Sequence, residues 1–191
     1  MKNNRFGQAK VLNTPELDLV IKYLKSRNQK VVAATLRNTG ARVGEVVQLK
    51  WRDIGKEQIL FPASITKRKL ASREIFISES FHKYLMDWSR YWTIYKGRKP
   101  LPEDFLFYGR KEGTHQTTRS FMDALDKATE RAKISGVSSH SFRRTQLTQL
   151  HRKQVPLNVI RSLSGHSSLN TLSLYLEVDD LEKQRASTLF A

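Results

Sequence analysis

The sequence predicts an α+β fold: a single, mostly helical domain carrying a small three-stranded antiparallel sheet. Three observations lead there. Apolar residues recur at helical spacing through both ends of the chain. They shift to short alternating runs between Trp51 and Ile77. No repeat or low-complexity tract divides the 191 residues, whose 39% hydrophobic content suffices for one well-cored domain.

Residues 1–13 are polar and basic without periodicity and read as a flexible basic lead-in. Thr14 is a candidate N-cap, with Pro15 at the first helical position and Glu16 and Asp18 facing the positive end of the helix dipole. Leu17, Val20, Ile21 and Leu24 supply the buried stripe of this helix. A second helix, from Val31 to about Asn38, ends at Gly40, which suits a left-handed terminator. Val43, Val46 and Val47 begin a third. Three strands are expected at Trp51–Ile54, Ile59–Phe61 and Glu74–Ile77, joined by a turn at Gly55 and a basic loop. Helical spacing returns with Tyr84, Leu85, Trp88 and Trp92, then Phe121, Leu125, Ala128 and Ala132, then Phe142, Leu147 and Leu150. Shorter helices are expected at Val159–Leu163 and Leu169–Val178.

Charge narrows the partner. Lys and Arg total 34 against 18 acidic residues, a formal +16, and a folded domain this basic calls for an anionic partner. Nucleic acid is the usual one, although ribosomal and membrane-surface proteins share the balance. The sequence has no cysteine, which removes disulfides, thiol nucleophiles and Cys-ligated metals. It has no apolar run of membrane-spanning length and no secretory leader pattern. A phosphate-cradling Gly-x-x-x-x-Gly-Lys loop and clustered carboxylates for magnesium are also missing, so no metal or cofactor is expected.

Five places hold polar residues that packing explains poorly. In Thr39-Gly40-Ala41-Arg42-Val43-Gly44-Glu45, an arginine follows a helix break with a carboxylate three residues on, on the same face. The basic loop Thr66 to Arg73 joins two expected strands. In His140-Ser141-Phe142-Arg143, imidazole and guanidinium share a helix face while Phe142 turns to the core. Leu163-Ser164-Gly165-His166-Ser167-Ser168 is a helix end with a glycine and a histidine. Tyr175 follows His166 by nine residues, in an otherwise apolar run. Taken singly, these read as surface ion pairs, a solvated hairpin tip and a core aromatic.

In this order, the five resemble the tyrosine recombinase, or phage integrase, family, over roughly residues 14–180. Val155-Pro156-Leu157, Ser164-Gly165-His166-Ser167 and Tyr175-Leu176-Glu177-Val178 are similar to that family's C-terminal signature almost position for position. The resemblance implies the catalytic-domain fold of those enzymes and a site-specific recombinase or integrase that joins Tyr175 to a DNA 3′-phosphate. It implies that Arg42 and Arg143 neutralise the phosphate, that His140 accepts the tyrosine proton and that His166 hydrogen-bonds the phosphate. Glu45 would orient the cluster. A hairpin lysine would protonate the leaving 5′-oxygen: counting from the loop's start favours Lys67, whereas counting back from Arg73 lands near Arg68, with Lys69 one step further. Arg68, Lys69, Arg73 and Arg144 are candidate DNA contacts, Arg144 standing where many relatives have a second histidine. These residue types suit the chemistry, because arginine forks hold phosphate oxygens and a tyrosine of pKa about 10 needs a base and a positive field.

The resemblance further implies double-stranded DNA as partner, a monomer free in solution, a tetramer on paired DNA sites, and no membrane. It implies a cytoplasmic, nucleoid-associated protein of prokaryotic or phage origin. The tail over 181–191, through Leu181, Leu189 and Phe190, would dock on a neighbouring protomer or pack on its own domain. Arg42 lies too near the start for the helical DNA-binding domain that relatives carry before this one, so the chain is a fragment or a minimal enzyme. Two other readings stay open: a truncated regulator that binds recombination sites, and a type IB topoisomerase-like relaxing enzyme.

Overall fold

The computed structural model describes residues 8–66, 71–176 and 180–188. Its first helix, α1 (Thr14–Tyr23), is capped by Asn13 rather than Thr14, and Pro15 takes the second position. The reason is local. The Asn13 side chain accepts from the Glu16 amide at 2.9 Å, while the Glu16 carboxylate accepts from the Asn13 amide at 3.0 Å. Ser26 and Gln29 make the same reciprocal box at the start of α2 (Arg27–Thr39), one turn earlier than the apolar stripe alone suggests. Gly40 ends α2 at φ +58°, and a side chain there would run into Gln146. A single turn, α3 (Val43–Val46), follows.

The expected strand at Trp51–Ile54 is instead a 3₁₀ turn, Trp51–Asp53. The buried Asp53 carboxylate accepts from the Lys50 amide at 2.8 Å, which folds this segment on itself before it can pair. Only Ile54 reaches the sheet, through an isolated bridge to Ile59. Among the described residues the sheet therefore has two antiparallel strands, β1 (Gln58–Phe61) and β2 (Arg73–Phe76), in register from Gln58 opposite Phe76 to Phe61 opposite Arg73.

Then come α4 (Glu79–Lys96), α5 (Thr118–Ala132), α6 (Ser139–Arg152), α7 (Leu157–Ser164), α8 (Leu169–Ser173) and α9 (Asp180–Thr188). The main core joins Leu17 and Val20 of α1, Val32 and Leu36 of α2, Phe61 and Ile75 of the sheet, Trp88 and Trp92 of α4, Phe121 and Leu125 of α5, and Phe142 of α6. A smaller core of Leu147, Ile160 and Leu172 ties α6, α7 and α8 together, and Tyr175 packs against it. The helix expected over Leu169–Val178 stops at Ser173, and Tyr175 lies in the turn beyond it.

The expected flexible lead-in is fixed in its described part. Lys10 donates to the Gly136 carbonyl at 2.9 Å, Leu12 donates to Thr145 Oγ1 at 2.8 Å, and the Leu12 side chain is buried. Among the described residues, no helix is long and apolar enough to cross a membrane, and no histidine–carboxylate group could hold a metal ion.

Candidate active site

Four helix ends and one strand converge on two adjoining hollows that share Arg42, Glu45 and His166. The break at Gly40 turns the chain so that Arg42, at the start of α3, faces the C-terminal end of α7 and the first turn of α6. Arg42 Nη1 donates to Glu45 Oε1 at 2.9 Å, and its amide donates to Oε2 at 3.2 Å. Glu45 is buried, which pushes its carboxyl up, yet the neighbouring Arg73 and the hydrogen bonds from Arg42 hold it below its ordinary value. It is therefore an anion set among three cations.

Arg143 is 1% exposed and spends its fork on the backbone. Nη1 donates to the Gly40 carbonyl at 2.7 Å and Nη2 to the Ser164 carbonyl at 2.7 Å, with His166 Nε2 at 3.2 Å from the same Nη2. Burial, then the charge on Arg42, pulls its pKa down to about 10, which leaves it a cation near neutrality. His166 sits behind the left-handed Gly165 and is 7% exposed. Ser164 Oγ holds its Nδ1 at 2.7 Å. Burial first, then Arg143, Arg42 and Arg73, drive its pKa down to about 4, so the ring is neutral at pH 7.

Tyr175 enters from the turn after α8. Its carbonyl accepts from Thr148 Oγ1 at 3.2 Å, which ties the turn to α6. Its ring lies 4.8 Å from that of His166 and 5.4 Å from the Arg143 guanidinium carbon. Its hydroxyl is 3.4 Å from Nδ1 of the exposed His140. A cavity of about 510 Å³ is lined by Arg42, Glu45, His140, Arg143, His166 and Tyr175. A second hollow of about 570 Å³ opens on the other side of Arg42, towards Arg73, Ser72 and Thr171. Such a pocket can bind a tetrahedral anion beside an oxygen nucleophile and a base.

The structure thus brings together Arg42, Glu45, His140, Arg143, His166 and Tyr175. It turns two expected DNA contacts inward. The Arg73 side chain is only 10% exposed; Nη2 donates to Glu45 Oε2 at 2.7 Å, and the guanidinium stacks on Phe61. Arg144 is buried, and its Nη1 donates to the Ala9 carbonyl at 2.8 Å. Successive helix residues point about 100° apart, so Arg143 facing the hollow sends Arg144 towards the lead-in. Lys67, Arg68 and Lys69 lie outside the described residues. Ser164, which stands in the stretch before His166 and had no role from the sequence, is the partner of that histidine, and its place two residues earlier was the available signal.

Comparisons with known proteins bear on the family and the fold. Residues 10–182 match the model of the phage integrase family. Transposase A from transposon Tn554 of Staphylococcus aureus is 27% identical over 91% of this chain and 50% of its own length. The tyrosine recombinase XerH of Campylobacter jejuni is 27% identical over 79% of this chain and 41% of its own. The chain spans about half the length of the curated relatives it matches. Among solved structures, XerA recombinase superposes with a TM-score of 0.77 at 21% identity, covering 96% of this chain and 65% of that one. XerH bound to a palindromic difH substrate, in a post-cleavage complex, gives 0.78 at 22% identity, covering 100% and 55%. At such identities, these superpositions speak for the fold.

Proposed function

The chain belongs to the phage integrase family, and on that premise we propose that it is a site-specific recombinase or integrase that cuts and rejoins duplex DNA through Tyr175. One observation carries the reading: the Tyr175 hydroxyl stands 3.4 Å from His140 Nδ1, on the rim of a hollow lined by Arg42 and Arg143. Nucleophile, base and anion clamp share one cavity of one chain.

In the proposed reaction, Tyr175 Oη attacks the scissile phosphorus while His140 takes its proton. The P–O5′ bond breaks as the P–O(Tyr) bond forms, leaving a 3′-phosphotyrosyl link and a free 5′-hydroxyl once the leaving oxygen has gained a proton. Lys67 supplies that proton. Arg42 and Arg143 bear on the non-bridging oxygens, where charge builds at the transition state. His166 completes the clamp with Nε2, the ring nitrogen beside Arg143 Nη2, while Ser164 holds Nδ1. Glu45 holds the Arg42 fork in place. Attack by another 5′-hydroxyl reverses every step, and one ester is exchanged for another, so rejoining needs neither nucleotide nor metal.

Double-stranded DNA is the proposed substrate, bound by a chain of +16 formal charge. Four protomers would pair two sites and exchange strands in turn, at the nucleoid of a prokaryotic host. Residues 14–180 would form the catalytic unit, and the tail over 181–191 would dock on a neighbour.

The test uses a nicked suicide duplex taken from DNA flanking the gene. Wild-type chain should form a DNA adduct that survives denaturation, and Tyr175→Phe should form none. A wild-type chain that binds this duplex and never becomes linked to it is a regulator and not a recombinase.

A further inference from the structure

Among the described residues, Arg73 is the cation of the cluster that no step of the proposed reaction uses. Its Nη2 donates to Glu45 Oε2 at 2.7 Å. Its Nη1 lies 3.4 Å from the Ser164 carbonyl, the acceptor that Arg143 Nη2 holds at 2.7 Å. Its guanidinium carbon sits 4.9 Å from the centre of the Phe61 ring. Gly165 makes the room, since a Cβ at that position would come 2.6 Å from Arg73 Nη1. The side chain is thus packed from below, open at 10%, and spent on two elements of the site.

We infer that Arg73 is a positioning residue for strand cleavage, which ties β2 to both phosphate-binding arginines by holding the Glu45 carboxylate and the Ser164 carbonyl. The inference rests on the function proposed above. Glu45 divides its oxygens, Oε1 to the Arg42 fork and Oε2 to Arg73, with a 3.2 Å backbone contact besides as its one other bond among the described residues. Without Arg73 the carboxylate is free to swing both oxygens onto Arg42. A bidentate carboxylate competes directly with phosphate for a guanidinium. Arg73 therefore keeps Glu45 from quenching the cation that it orients. Its grip on Ser164 also fixes the carbonyl against which Arg143 leans.

A direct DNA contact at Arg73 predicts something else. Losing a phosphate contact weakens binding and lowers the salt slope by about one unit, whereas losing a positioning residue slows cleavage of DNA already bound.

The experiment measures single-turnover adduct formation at saturating suicide duplex, together with DNA affinity across salt. Arg73→Ala should cut the rate roughly tenfold or more, the scale on which partners behind a charged ligand act. The salt slope should stay as in the wild type, and affinity should fall by no more than the share of the one scissile phosphate among the many phosphates contacted. Arg73→Lys, which reaches Glu45 but not both acceptors, should recover part of the rate. On a Glu45→Ala background, Arg73→Ala should cost less than about threefold, because residues that act through each other do not add. An unchanged rate, full additivity, or a loss confined to affinity and salt slope overturns the inference.

Thermal unfolding accompanies each variant, and if Arg73→Ala fails to fold, Arg73→Lys alone decides by its rate at unchanged affinity. Failure of the wild type to form an adduct sinks the proposed function, not this residue's role. Titration with inorganic phosphate then decides, read from the His166 ring resonances. The Arg73 variants should bind phosphate more weakly than the wild type, and equal binding refutes the role.

Discussion

The Tyr175 hydroxyl and Nδ1 of His140 lie 3.4 Å apart although 35 positions separate them, at the upper edge of hydrogen-bond reach. Their meeting depends on the small core under α6, α7 and α8, against which Tyr175 packs. Apo contacts of this kind are often long and tighten with substrate. His140→Ala should slow adduct formation by about 100-fold or more while DNA affinity stays near normal. Wild-type rates in that variant would show that another group takes the proton.

The two arginines proposed to bind phosphate should differ in what else they support. Arg143 satisfies the Gly40 and Ser164 carbonyls at 2.7 Å each from a buried position, whereas the Arg42 side chain is 26% exposed. Arg143→Ala should cost roughly 2–4 kcal/mol of stability, because it leaves the buried Gly40 carbonyl unmet and the Ser164 carbonyl with only its 3.4 Å contact from Arg73. Arg42→Ala should change stability by less than about 1 kcal/mol. Both should lose cleavage by about 100-fold or more. Denaturant unfolding separates them, and equal midpoints would contradict the bonding described for Arg143.

His166 should make stability depend on pH. Its folded pKa, about 4, lies below the ordinary 6.5, so between those values the unfolded chain binds a proton that the folded chain refuses. The contribution is complete above about pH 6.5 and is lost as pH falls towards 4, on the order of 2–3 kcal/mol. Glu45, whose carboxyl is held below its ordinary 4.5, weakens the fold only under that value. His166→Gln should flatten the unfolding profile between about pH 4.5 and 6.5. A profile as steep as the wild type's would assign the dependence to other groups.

Arg144 should matter for the fold and not for DNA. Its bond to the Ala9 carbonyl pins the lead-in to α6, so Arg144→Met should destabilise by about 1–2 kcal/mol and speed hydrogen exchange at the Leu12 amide. The salt slope of DNA binding should not move. A slope lower by about one unit would restore Arg144 as a phosphate contact.

The hairpin lysine is tested by sulfur substitution. If Lys67 protonates the leaving oxygen, Lys67→Ala should be slow on ordinary DNA and should recover on a duplex with a bridging 5′-sulfur, because a thiolate leaves without a proton. Lys69→Ala should show only a small binding defect. Rescue of the Lys69 variant alone would move the assignment by two residues, and rescue of neither would make His166 the next candidate.

The sequence by itself determined most of the helices, though not α9 or the early end of α8, together with the two strands that pair and the residues that meet in the hollow. Apolar spacing marks the buried face of α4 and α5 and Gly40 marks a left-handed turn, while the residues of the hollow were legible through the resemblance of their order to the tyrosine recombinases. It could not decide which way a charged side chain turns. Arg73 and Arg144 read as surface cations because lysine and arginine usually are. Only the assembled fold places a carboxylate, a carbonyl and an aromatic ring where a guanidinium can be buried with its terminal nitrogens bonded. The same holds for Trp51–Ile54, whose β-like composition gives way to a turn once Asp53 closes on the Lys50 amide. Apolar pattern sets which face goes inward, whereas the burial of a charge depends on partners from distant parts of the chain, and these meet only when the chain has folded.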